Sequence, residues 1–224
     1  MAAKLQGLIP ERDNLDRVRD KIGEILTEES ASQQALAQAA GKDPELWKLR
    51  VLLESDNPIA KFSGGEVTDF SPIVNVWFDS ANTISSASQQ TQDNFLATFN
   101  VDIYGYGRSV ETIEGHSPGD KLAAIAAQRG YRLVYQILKS GYYSRLDLQG
   151  IVGKRMVQSV NAFQPEILNQ TVENVQAVRL ALNVQFVENA LEYQGQNLEI
   201  VHVDIERDAD GFLLAQAEYD YTTP

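Results

Sequence analysis

The 224-residue chain predicts an α+β fold: a mostly antiparallel sheet covered by a long helix and an amino-terminal helix, with an extra helical segment. Three observations carry that expectation. Apolar residues recur at helical spacing at the front and again in the middle of the chain. Apolar and polar residues alternate by twos in most of the remaining long segments. Helices and strands do not take turns in a βαβ rhythm, so a parallel doubly wound sheet is not expected.

The first helix runs from Glu11 to Glu29, with Leu15, Val18, Ile22, Ile25 and Leu26 on one face. Thr27-Glu-Glu-Ser-Ala-Ser is expected to break it, and a weaker alanine- and glutamine-rich helix follows to Ala40. Asp43-Pro44-Glu45 then supplies a cap, a first-turn proline and an acid at a helix start. The stretch Leu46 to Leu53 is apolar on most sides and is expected to be a packed helix. Asn57-Pro58 and Ser63-Gly64-Gly65 mark a loop. They separate a helical region, 1–60, from a sheet-rich body, 61–224, within one compact molecule.

Ile73 to Asp79 is a short strand, and the polar stretch Ser80 to Gln92 is a connection. A long strand begins at Asn94. Phe95, Ala97, Phe99, Val101 and Ile103 share one side of it; Leu96, Thr98, Asn100, Asp102 and Tyr104 share the other. Antiparallel pairing with Ile73–Asp79 is the simplest arrangement. Ser117-Pro118-Gly119-Asp120 opens a long helix, with serine as cap and proline in the first turn. Its stripe is Leu122, Ile125, Ala126, Leu133, Val134, Ile137 and Leu138, and Gly141 is its expected stop. Extended segments follow at Ile151–Phe163, Ala177–Glu188, Leu198–Arg207 and Phe212–Tyr221. The last two form a hairpin about Asp208-Ala-Asp210-Gly211. No internal repeat is present.

Composition narrows the chemistry. With no cysteine, disulfides, thiolate catalysis and cysteine-ligated metals are excluded. A net charge of −12 argues against gripping a phosphate backbone, whose affinity comes from lysine and arginine. No apolar run approaches the roughly 20 residues that span a bilayer, and no secretion signal is expected at the amino terminus. His116 and His202 stand far apart and read as structural or surface groups. Glu206, Asp208, Asp210 and Gly211 match the start of a calcium loop, but Ala217 occupies the closing position and the flanks are strands. A hairpin turn accounts for the same residues.

Gly105-Tyr-Gly107 lacks the third glycine of a dinucleotide fingerprint, since Val110 stands there. Asn169-Gln-Thr171 is a sequon without consequence outside a secretory pathway. No catalytic residue, cofactor site or metal site is expected. Tyrosine and arginine concentrate near the ends of elements: Tyr104, Tyr106 and Arg108 after the long strand, Tyr142, Tyr143 and Arg145 after the long helix. Tyr219 and Tyr221 end the chain. The first six are the candidate interface residues, because such side chains are enriched at protein contacts. The competing reading is that these rings only close the two ends of the core.

The order of "IVNVWFD", "ATFNVDIYGYG", "GDKLAAIAAQRGYRLVYQILKS", "MVQSVNAFQP" and "VRLALNVQFVE", with an amphipathic helix before and an aromatic hairpin after, resembles the tail-terminator (tail-completion, neck) proteins of long-tailed bacteriophages, especially contractile-tailed ones. The resemblance covers Ile73 to Tyr221 and the first helix. The stretch from Ser30 to Pro58 departs from it, being longer than the family's usual link. The resemblance implies a virion structural protein, made in the host cytoplasm, that forms a homo-oligomeric ring, usually a hexamer. Such a ring caps the tail tube and joins it to the head connector, with possible sheath contact. DNA passes through its lumen without specific binding, and no membrane is involved. On this reading the long strand reaches toward a neighbour and Gly-Tyr-Gly-Arg is a contact loop. Alternatives are another neck adaptor or tube-like protein and, more remotely, a small metal-dependent hydrolase or nuclease using scattered acids, for which changes at Asp208 and Asp210 are the test.

Overall fold

The computed structural model describes residues 10–62, 69–84, 92–112, 115–165, 174–189, 200–206 and 213–220. The fold is α+β. Pro10–Ala190 form one compact unit, and Met1–Ile9 with Leu191–Pro224 form another. No helix among the described residues is long and apolar enough to cross a membrane.

Helix α1 spans Asn14–Ala39, capped by the Asp13 carboxylate, which accepts from Asp16 N at 2.8 Å. Val18, Ile22, Ile25 and Leu26 are fully or almost fully buried, as their spacing predicts. The expected break at Thr27–Ser32 does not occur. Thr27 Oγ1 bonds back to the Gly23 carbonyl, and Ser30 turns inward: its hydroxyl donates to Trp47 O and accepts from Leu49 N, both at 3.0 Å. Tertiary anchoring outweighs the weak intrinsic preference of serine and threonine for helix ends.

The expected helix over Leu46–Leu53 is also corrected. Asp43 caps a start, accepting from Glu45 N, but only one 3₁₀ turn forms, Pro44–Trp47. Strand β1, Arg50–Leu53, follows and runs parallel to β2, Ile73–Thr83. Val51 packs into the core beneath the helices and Leu52 into a second cluster with Ile59, Phe62, Ile73, Tyr104, Val175 and Ala177. A short run apolar on both sides fits a strand buried on both faces as well as a helix, and periodicity alone cannot separate the two. The helical region expected at 1–60 is therefore not a separate front: α1 packs on the sheet and β1 forms one of its edges.

The sheet has the order β1-β2-β3-β7-β6, where β3 is Gln92–Tyr106, β6 is Val152–Phe163 and β7 is Val175–Asn189. All pairs but β1–β2 are antiparallel. A short ribbon, β4 Val110–Thr112 with β5 Gly115–Ser117, leads into helix α2, Gly119–Lys139. Both long helices contribute to one core, with Phe99, Val101, Ile103, Leu180, Leu182 and Phe186 from the sheet beneath them. In the second unit, β8 Ile200–Glu206 pairs antiparallel with β9 Leu213–Asp220, as expected; the turn bearing Asp208, Asp210 and Gly211 lies outside the described residues.

Two expectations about β3 and α2 change. Strand β3 is the central strand, paired along its whole length with β7 on one side and over most of it with β2 on the other, so it offers no edge to a neighbour. Gly105, in β3, and Gly107, just past its end, lie directly under α2. A Cβ at Gly105 would come within 2.2 Å of Ala127 N, and one at Gly107 within 2.2 Å of Gly119 O. The glycines permit close helix–strand approach instead of forming a contact loop. Helix α2 begins one residue later than the spacing suggests. Pro118 is the cap residue, Ser117 makes no cap, and Ser109 Oγ accepts from Gly119 N at 3.1 Å. The helix ends at Lys139 with Ser140 as its C-cap, which leaves Gly141 immediately beyond it, where the stop was expected.

Candidate assembly surfaces

The six tyrosine and arginine candidates fall into two groups, one at each end of α2, roughly 30 Å apart along a helix of 21 residues. At the amino-terminal end, Tyr106 stacks between Phe62 and Phe70, with centroids 5.3 and 5.5 Å away, and Arg108 lies over the Phe70 ring at 5.8 Å. Arg108 is exposed; Tyr104 is buried. At the other end Tyr142 is 78% exposed, its ring edge-on to the buried Tyr143. Tyr143 donates its hydroxyl to Glu29, tying α2's end to α1. Arg145 is exposed. Of the six, Tyr142, Arg108 and Arg145 are available to a partner in this chain alone, while Tyr104 and Tyr143 belong to the core.

Tyr104 points to a group of residues that the sequence did not single out. Asp102 is 2% exposed on the sheet face opposite the helices. Its carboxylate accepts from Arg179 Nε at 2.7 Å and Nη2 at 2.8 Å, from Trp77 Nε1 at 3.0 Å and from the Tyr104 hydroxyl at 3.3 Å. The Arg179 guanidinium lies 5.0 Å from both the Trp77 and Phe163 ring centres. Direct pairing of Asp102 with Arg179 across β3 and β7, and of Asp102 with Asn75 across β3 and β2, puts these side chains on one face.

The hydrogen bond and charge of Asp102 hold the Arg179 pKa above its ordinary value despite partial burial. Burial first, then the Asp102 charge, raises the Tyr104 phenol. With four donors on two oxygens, Asp102 is fully engaged, and the arrangement is a clamp joining three strands. Around it, Asn75 exchanges two bonds with the Ser55 backbone, Asn100 donates to Asp79, and Thr98 donates to Asn183. Asn100, Asp102 and Arg179 sit in the polar rows of their strands; that alternation is the only sequence signal, and it does not disclose their partners.

The outer edge of β6 carries no ladder partner among the described residues. Of its 12 residues only Val152 is buried; Met156 and Val160 are 52% and 38% exposed. Beside its start is a shallow depression lined by Lys139, Arg145, Lys154 and Arg155, with no acid in its wall. Arg155 donates to the Tyr143 and Ser140 carbonyls just past the end of α2, and burial lowers its pKa. Lys139, Arg145 and Lys154 are exposed and make no ion pair among the described residues.

His116 and His202 lie in β5 and β8, on separate sheets, and among the described residues no group of three or more acids or histidines could hold a metal ion. The chain matches no protein-family model and no curated protein, so the function of these surfaces has to be argued from their own geometry.

Proposed function

We propose that this chain is a structural subunit of a phage neck, a tail terminator that assembles as a ring, usually of six copies, on the end of the tail tube and joins it to the head connector. The observation that carries this reading is the exposed β6 edge, which has no ladder partner among the described residues, on a sheet whose two long helices lie on one face. A long bare edge is a template for pairing with another chain, and soluble proteins usually blunt or cover it. A contact between two different patches of identical chains closes into a ring when its rotation divides a full turn. The net charge of −12 suits a passage for DNA, because like charge keeps the duplex from adhering to its wall. The order of elements along the chain supplies the choice of the terminator among ring-forming neck components.

Electron microscopy tests the proposal at two levels. Purified protein at high concentration, or protein added to tail tubes, is expected to give closed rings with a central opening. In particles, the subunit is expected between tube and connector. A position inside the connector or along the tube would instead favour an adaptor or tube-like protein. Absence from particles, together with a chain that stays monomeric both alone and with tubes, would sink the proposal.

A further inference from the structure

We propose that the β6 edge of one copy receives the β8–β9 hairpin of the next copy, which adds its strands to the five-stranded sheet. This contact rests on the ring-forming reading above and specifies how two copies meet. Three observations lead to it. First, among the described residues β8 and β9 pair only with each other, and a two-stranded sheet gains stability from further strands. Its register sets Val201 opposite Tyr219, Val203 opposite Ala217 and Ile205 opposite Ala215, so one row of the hairpin is apolar. Such a row gains stability by lying against more sheet.

Second, charge is complementary. The sequence from Leu191 to Pro224 holds eight acids against one base, Arg207, a net of −7 out of the chain's −12. The β6 edge begins at the depression lined by Lys139, Arg145, Lys154 and Arg155. Third, the chain has the reach. Ten residues separate Asn189, the end of β7, from Ile200, the start of β8, and so can extend up to roughly 35 Å. Donor and acceptor are different surfaces of the same chain, which makes the contact heterologous and fit for a closed ring.

The test uses the whole chain, mixed from unlabelled and ¹⁵N-labelled preparations at high concentration and treated with a carbodiimide. That reagent joins a lysine amine directly to a carboxylate that touches it. Mass spectrometry is expected to find Lys139 or Lys154 joined to acids between Glu199 and Asp220, in pairs that combine light and heavy peptides. Pairs of one label only would mean that the hairpin folds back on its own chain, and would overturn the proposal. So would a ring in which these lysines are joined only to acids elsewhere; that result would leave the ring reading standing. Failure to assemble at all, alone or on tubes, would remove both.

A second arm reads affinity. Reversing charge with Lys139→Glu and Lys154→Glu, both exposed positions, is expected to weaken assembly by at least about tenfold. Adding Glu218→Lys and Asp220→Lys is expected to restore it. Unchanged assembly in the doubly reversed chain would count against the contact, because its electrostatic half would then be absent.

Discussion

Asp102 and Arg179 make a paired charge that matters more to the fold than its position on an open sheet face suggests. Removing the guanidinium with Arg179→Ala strands a carboxylate that is 2% exposed, and the expected loss is about 3 kcal/mol. The lower end of the usual range applies because Arg179 itself is partly exposed and water screens it. Urea denaturation of the single and double variants checks this: Asp102→Ala combined with Arg179→Ala should cost clearly less than the sum of the two. Two phenols give a second residue-scale prediction. Burial of Tyr104 next to Asp102, and the bond from Tyr143 to Glu29, raise both above the ordinary value of 10.0. A phenol with a raised folded-state pKa stabilises fully below the unfolded value and loses that contribution as pH rises past the folded one. Tyrosinate absorbance should therefore show a late-ionising component from Tyr104 and Tyr143, halved in Tyr143→Phe, and stability should fall as pH climbs above 10. The polar rows of β3 and β7 made these residues visible as a face. Which carboxylate meets which guanidinium depends on a strand register spanning 77 residues, and periodicity carries no such information.

Elements meet most closely where α2 crosses β3. Gly105→Ala would drive a methyl into the backbone of Ala123 and Ala127, so a loss of about 1–3 kcal/mol in thermal or urea unfolding is expected. Gly141→Ala meets no atom within 4 Å and should stay within about 0.5 kcal/mol of the parent. For β6, hydrogen exchange of the amides pointing away from β7 should be fast in dilute protein and slow once copies assemble; rates that do not depend on assembly would argue against a strand-edge contact. Strong periodicity made α2, β3, β6 and β7 legible, with ends displaced by only a few residues; it found the start of α1 but not its end, which lies ten residues beyond Glu29. Elements failed where local preference and packing disagree. Ser30 keeps α1 continuous through a bond to Leu49, and the apolar run before Leu53 becomes a parallel edge because both its faces find cores. The Gly-Tyr-Gly segment was visible as unusual, but its cause, the backbone of α2, lies in another part of the chain.

At the scale of the whole molecule, acidity and assembly govern behaviour together. The chain is expected to leave duplex DNA unshifted in gels at physiological salt; a salt-sensitive shift would contradict the passive-conduit part of the proposal. The α+β class was readable from the pattern of periods. The division of the chain into two compact units was not, because it depends on long-range contacts that leave no mark on local composition. The central position of β3 has one more consequence, for synthesis. Its ladder with β7 joins Tyr106 to Val175 and Gln92 to Asn189, so the innermost strand leaves the ribosome well before its second partner. At a translation rate of about 5–20 residues per second, the 83 residues between Tyr106 and Asn189 take roughly 4–17 s. Throughout that interval a nascent chain displays the bare flank of its central strand, and chaperone capture should peak on ribosomes stalled there and vanish once residue 189 has cleared the tunnel.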